Sequence, residues 1–131
     1  MNKATKRKLP PAKAWREREV ADWNTTTFTV FLTDRHAELY GLPYVPARGW
    51  RAEQGMIKRM IDEHGAEVTK RFIDGCFREY KPTREYPALT WTFMYVYMRA
   101  RILPKALRES ERVARDEKAA QQTSEELADW W

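Results

Sequence analysis

From Val68 to Tyr80 the chain sets Val68, Phe72, Ile73, Cys76, Phe77 and Tyr80 so that each has another three or four positions away, with charged residues between them. That period is the turn of an α-helix and puts all six on one face. Lys81 and Pro82 end the run, because proline lacks an amide hydrogen and excludes the residue before it from helical angles. Met56, Ile57, Met60 and Ile61 form a second stripe that stops at His64-Gly65. With a single glycine between them, the two helices must meet as a tight antiparallel pair or a corner. A third face holds Phe28, Phe31, Leu32, Leu39 and Tyr40, preceded by the candidate caps Asn24, Thr25, Thr26 and Thr27 and closed by Gly41. The β-branched residues Thr27, Thr29 and Val30 leave a short strand over 26–32 as the alternative.

Between these stripes the chain is punctuated. Residues 41–50, GLPYVPARGW, and 82–87, PTREYP, read as loops. Residues 15–23 suggest a short helix with Trp15, Glu19 and Trp23 on one side. Thr90 can cap a helix carrying Phe93, Met94, Val96, Tyr97 and Met98, apolar almost all round, which predicts a central position with Trp91, Phe93 and Tyr97 in the core. Pro104 should kink this helix or start a new one. With only 5 glycines in 131 residues, sandwiches and barrels, which need many tight turns, are disfavoured. The expected fold is all-α: a single compact domain of four to five helices over residues 14–118, with a flexible basic arm at 1–13 and an acidic tail at 119–131 ending in Trp-Trp.

Charge is segregated along the chain. Residues 1–18 hold seven Lys/Arg and one Glu, and residues 99–118 hold seven basic and four acidic side chains, while 19–98 is nearly neutral. Arg101, Lys105, Arg108, Arg112 and Arg115 recur at spacings of four, three, four and three. On a helix they lie within about 40° of one line, a ridge roughly 20 Å long. Ile102, Leu103, Ala106, Leu107, Val113 and Ala114 occupy the other side. A complete break at Pro104 would remove Arg101 from the ridge. A cationic arm and a cationic helix are what a polyanion-binding surface requires. Lys6, Arg7, Lys8 and Lys13 would supply a mobile contact and the ridge an ordered one. Aromatic residues beside cations, Trp15 and Trp23 around Arg16 and Arg18, and Tyr44 and Trp50 around Arg48 and Arg51, could stack bases of a single strand.

Catalytic chemistry has no comparable signature. His36 and His64 stand on separate expected helices with no second ligand at metal spacing, so they read as solvated or capping residues. Cys76 lies among Phe72, Ile73 and Phe77 and reads as a buried inert thiol. Asp62, Glu63, Glu67 and Asp74 interleave with Lys and Arg as ordinary ion-pairing surface, with Glu67 to Arg71 and Asp74 to Arg78 as the expected pairs. No phosphate loop, GxSxG motif or catalytic triad is present, so neither an enzyme nor a cofactor or metal is expected. No apolar run is long enough for a membrane span, the basic N-terminus is not followed by a signal-like apolar stretch, and one buried cysteine suits a reducing compartment; a cytoplasmic location is expected.

The stretches DWNTTTFTVFLTDRHAELYG, EVTKRFIDGCF and YKPTREYPALTWTFMYVYMRARILPKAL, within residues 23–107, resemble small helical phage proteins encoded among replication genes. An aromatic-rich helix followed by a basic one is also similar to the C-terminal modules of replisome organisers and helicase loaders, although a separate winged-helix domain is lacking. The resemblance implies a DNA-replication accessory that meets single- or double-stranded DNA, or a replicative helicase or another host or phage protein, in the cytoplasm of a bacterial host. Trp130 and Trp131 would either fold back on the domain or be offered to such a protein. An interaction module using the ridge and this tail, and a helix-turn-helix regulator built on residues 52–80, are the alternatives. The apolar helix also leaves a homo-oligomer open.

Overall fold

The structure, a computed structural model, describes residues 8–130. Residues 8–23 approach the first helix through irregular turns and a short 3-10 turn, Val20–Asp22. The expected helix over 15–23 is not formed. Arg18 holds the segment instead, donating to the carbonyls of Asp22 (2.9 Å) and Pro10 (3.0 Å), and the indole N–H of Trp23 donates to the Arg18 carbonyl (2.9 Å).

Helix α1 (Thr25–Tyr40) resolves the helix-or-strand alternative in favour of helix. Asn24 Oδ1 accepts the Thr27 amide (3.1 Å) while Thr27 Oγ1 accepts the Asn24 amide (3.3 Å), a reciprocal capping box. The hydroxyls of Thr29 and Thr33 donate back to the carbonyls of Thr25 and Thr29, so these threonines are accommodated on the helix. Gly41, at φ 65°, closes α1 in the left-handed conformation that an L side chain resists. Phe28, Phe31 and Leu32 are buried as expected. Leu39 is exposed, and the buried position near that end is taken by His36, whose Nδ1–H donates to the Leu42 carbonyl (2.9 Å) just beyond the helix.

Helices α2 (Trp50–His64) and α3 (Ala66–Glu79) meet at Gly65 alone. Gly65 has φ 89°, donates to the Ile61 carbonyl and accepts both the amide and the hydroxyl of Thr69, ending one helix and starting the next. Eight of the 14 residues of α3 are buried, which makes it the central helix. The expected pairs Glu67 to Arg71 and Asp74 to Arg78 do not form: Asp74 accepts Lys70 (2.6 Å), and Arg71 reaches across to Glu109 (2.6 Å), because α5 brings a carboxylate within reach.

Thr90 caps α4 (Trp91–Phe93), its Oγ1 accepting the Phe93 amide (3.4 Å). The chain runs on without a break through a π-helical segment, Met94–Met98, into α5 (Arg99–Trp130). The described residues thus form four continuous helices, α1, α2, α3 and the 91–130 helix, in one domain. Pro104 lies inside α5 and does not break it; Ala100, whose carbonyl loses its amide donor, is exposed, so water can satisfy that group. Trp91, Met94, Met98, Ile102 and Ala106 form the buried side, laid on α3. Gly75 permits that approach, since a Cβ there would stand 2.9 Å from Ile102 Cγ2.

This helix is not wrapped on all sides, as its apolar composition suggested. Val96 and Tyr97 face solvent and Phe93 is only half-buried, because no helix of the described chain covers that flank. From Ala114 to Trp130 every residue is exposed, and beyond Glu117, which still lines a cleft with Glu67 and Lys70, α5 runs on for about 20 Å. The acidic segment from residue 119 is its outer end.

Candidate nucleic-acid interface

All five ridge residues fall on the unbroken α5, and Arg101 stays in register with the other four because Pro104 leaves the helix intact. All five are exposed. The sequence did not reveal how unequal they are. Arg101 and Lys105 both contact Glu79 at the end of α3, at 3.4 and 3.1 Å. Arg112 pairs with Asp116 one turn on, at 3.3 Å. Among the described residues Arg108 and Arg115 meet no acidic partner. The ridge therefore carries two free cations and three that share two carboxylates. Glu109, which would otherwise flank Arg108 and Arg112, is turned to Arg71 on α3.

Of the expected arm, Lys6 and Arg7 lie outside the described residues. Lys8 and Lys13 are exposed. Lys13 lines a shallow cleft of about 220 Å³ with Trp15, Arg16 and Asp34, in which no ridge residue takes part. The structure assembles the ridge but does not bring these two lysines into it.

The aromatic residues expected to stack bases are largely committed to the fold. Trp23 and Tyr44 are buried. Trp15 is wedged edge-on against Phe31 (4.9 Å between centroids) and donates its indole N–H to Asp34 (2.7 Å). Trp50 stacks on Tyr44 at 5.0 Å. Arg16, lying over the Trp15 ring, pairs with Asp34 and Glu38, and the hydrogen bond from Arg35, with the Arg16 charge beside it, holds the Glu38 carboxyl below the usual carboxylate range. Besides Trp130, the exposed rings among the described residues are Tyr86 and Tyr97, on either side of Phe93. A periodicity check could have found Tyr97: Val96 and Tyr97 fall off the line Trp91, Met94, Met98, Ile102, and one central neighbour can cover only one side of a helix.

Trp130 is 85% exposed and does not fold back on the domain, since the end of α5 carries it away from the body. Trp131 lies outside the described residues.

A second polar cluster went unnoticed in the sequence. Glu53, in the first turn of α2, is fully buried, and among the described residues it forms no ion pair. Its Oε1 accepts the Tyr44 hydroxyl (2.5 Å), and its Oε2 accepts the Thr92 hydroxyl (2.6 Å) and the amides of Thr92 (3.1 Å) and Ala47 (3.3 Å). The Tyr44 hydroxyl in turn accepts the Trp91 amide (2.9 Å). One carboxylate thus ties α2, the loop before it and the start of α4 together. Burial and the bond to Glu53 push the Tyr44 phenol well above its usual range. Glu53 continues the Met56, Ile57, Met60 stripe one turn back, which was the signal available. With one donor on Oε1 and three on Oε2, drawn from three parts of the chain, the cluster reads as a lock on the fold.

Cys76 is buried as expected, and burial pushes its thiol up to about 12, so it is held protonated. Among the described residues no group of three His, Cys, Asp or Glu is placed to hold a metal ion, and no helix is long and apolar enough to cross a membrane. No known family matches this chain, and no curated protein or solved structure matches it.

Proposed function

We propose that this chain is a non-enzymatic nucleic-acid-binding accessory protein, of the kind that serves phage DNA replication in a bacterial host's cytoplasm. The observation that carries the reading is the unbroken ridge of Arg101, Lys105, Arg108, Arg112 and Arg115, all exposed on a helix that buries Ile102 and Ala106 on another side. A rigid cationic row of that length tracks phosphates and reads no base edges, so binding is expected to be sequence-tolerant. With about five to eight phosphate contacts, affinity should fall by two or more decades over a fourfold rise in salt. The test is fluorescence anisotropy of labelled single- and double-stranded oligonucleotides at two salt concentrations. Submicromolar, salt-steep binding supports the reading, and no binding at low salt refutes it.

A protein-interaction module, such as a helicase loader or an inhibitor of a host enzyme, is favoured by one specific observation, the exposed Trp130 on the last turn of a helix whose final residues pack against no other described element. A large apolar side chain so placed suits the pocket of a partner. Deleting residues 124–131 would then abolish pulldown of a replicative helicase and leave nucleic-acid affinity unchanged. The helix-turn-helix alternative has less support, because α3, which would have to enter the groove, is the most buried helix of the domain.

A further inference from the structure

Four aromatic rings sit at the junction of the 80–90 loop and the π-helical segment. Phe93 is their hub: it contacts Tyr80 edge-on at 5.6 Å, Tyr86 at 6.5 Å and Tyr97 at 5.0 Å between centroids. Tyr97 is 72% exposed and Tyr86 57%. With Phe93 between them they form a contiguous exposed aromatic patch, and contiguous patches mark interaction sites. Phe93 and Tyr97 line two separate clefts, one of about 430 Å³ and one of about 480 Å³, so their rings form the wall between them. Either cleft is large enough for a planar heterocycle. The π-helical segment presents Tyr97 outward while Met94 and Met98 stay in the core, and such irregular turns recur at functional sites.

The charge around the wall is directional. The smaller cleft is lined by Lys81 and Arg101 as well as Tyr80. Its one carboxylate, Glu79, is engaged by Arg101 and Lys105. Arg101 is also the first residue of the ridge. Aromatic faces therefore lead directly into a row of cations, which is how a strand with unpaired bases is held: bases stack on rings while phosphates follow the charge. A paired duplex hides its base faces and cannot use the wall.

We propose that Tyr97, Phe93 and Tyr86 form a stacking platform for unpaired bases, from which the phosphates of a single strand run past Lys81 and Arg101 onto the α5 ridge. The proposal rests on the nucleic-acid reading above and adds the form of the ligand: single-stranded, engaged without base-specific contacts. Val96, exposed beside Tyr97, widens the apolar surface on the same flank.

The test compares a labelled oligo-dT strand with a blunt duplex of the same number of phosphates, by anisotropy at two salt concentrations, for the full chain and its variants. The wild type should prefer the single strand. Tyr97→Ala with Tyr86→Ala should lose about tenfold or more on oligo-dT, leave the salt slope unchanged and leave the duplex unaffected. Tyr97→Phe keeps the ring and should bind as the wild type does. Because both tyrosines are exposed, thermal unfolding should be nearly unchanged, which separates lost stacking from lost folding. Wild-type binding that persists undiminished in the double variant, or falls equally on both ligands, overturns the platform, leaves the ridge reading standing and turns the patch over to a protein partner. No wild-type binding to either ligand at low salt sinks both readings.

Discussion

Replacing Arg108 and Arg115 together by glutamine is the sharpest probe of the ridge, because these are its two members without an acidic partner among the described residues. They are seven residues apart on the same side of α5, about 10 Å along the axis. Glutamine is a good helix former and both sites are exposed, so the helix should be undisturbed. Each cation withdrawn from a duplex phosphate lowers the slope of log affinity against log salt by about 0.9, so the pair should lower it by about 1.8. Counterion release vanishes near 1 M salt, so that slope corresponds to about 60-fold weaker binding at 0.1 M and about 20-fold at 0.2 M. The loss should be the same for unrelated sequences, as it should also be for the Arg108 and Arg112 pair. Glu79→Gln should act in the opposite direction: it frees Arg101 and Lys105 from their shared carboxylate and should tighten binding about eightfold at 0.1 M, with a slope steeper by about 0.9. Anisotropy titrations across a salt series read both effects. An unchanged slope in the Arg108 and Arg115 variant would refute contact between the ridge and phosphate. Weaker binding in Glu79→Gln would show that Glu79 positions the two cations instead of neutralising them.

Three further predictions concern the fold that presents the site. Gly55→Ala should stabilise the protein by about 1 kcal/mol in urea unfolding, since an added Cβ on α2 meets nothing; Gly75→Ala gains the same propensity but drives a methyl into the stiff, buried Ile102, and a net loss of up to about 2 kcal/mol is expected, with opposite signs at the two glycines as the check. Glu53→Ala strands the Tyr44 and Thr92 hydroxyls and the Ala47 and Thr92 amides, and should cost at least about 3 kcal/mol by the same unfolding assay, whereas a loss below about 1 kcal/mol would mean that water replaces the carboxylate. Cys76, buried and held protonated, should resist a thiol-specific reagent at pH 8 until urea unfolds the chain; rapid labelling of the native protein would contradict the packing of α5 on α3.

The sequence by itself determined what depends on near neighbours. The apolar period of three and four set the helices, Asn24 and Thr27 wrote the start of α1, Gly41 and Gly65 wrote helix ends, and the basic spacing wrote the ridge, because each of these is decided within one or two turns of chain. The tertiary structure decided what depends on which face meets which. Whether Tyr97 is core or surface follows from α3 covering a single side of the 91–130 helix, and an apolar count along the chain cannot reveal that. The loss of Trp23 and Tyr44 from the candidate interface, and the gain of Tyr86 and Tyr97, follow from the same partition of aromatic surface between core and solvent. Glu79 quenching Arg101 and Lys105, and Glu53 accepting from Tyr44 and Thr92, join residues that lie between nine and 39 positions apart. Local pattern fixes the direction in which a side chain leaves its own helix; only packing brings the partner to meet it.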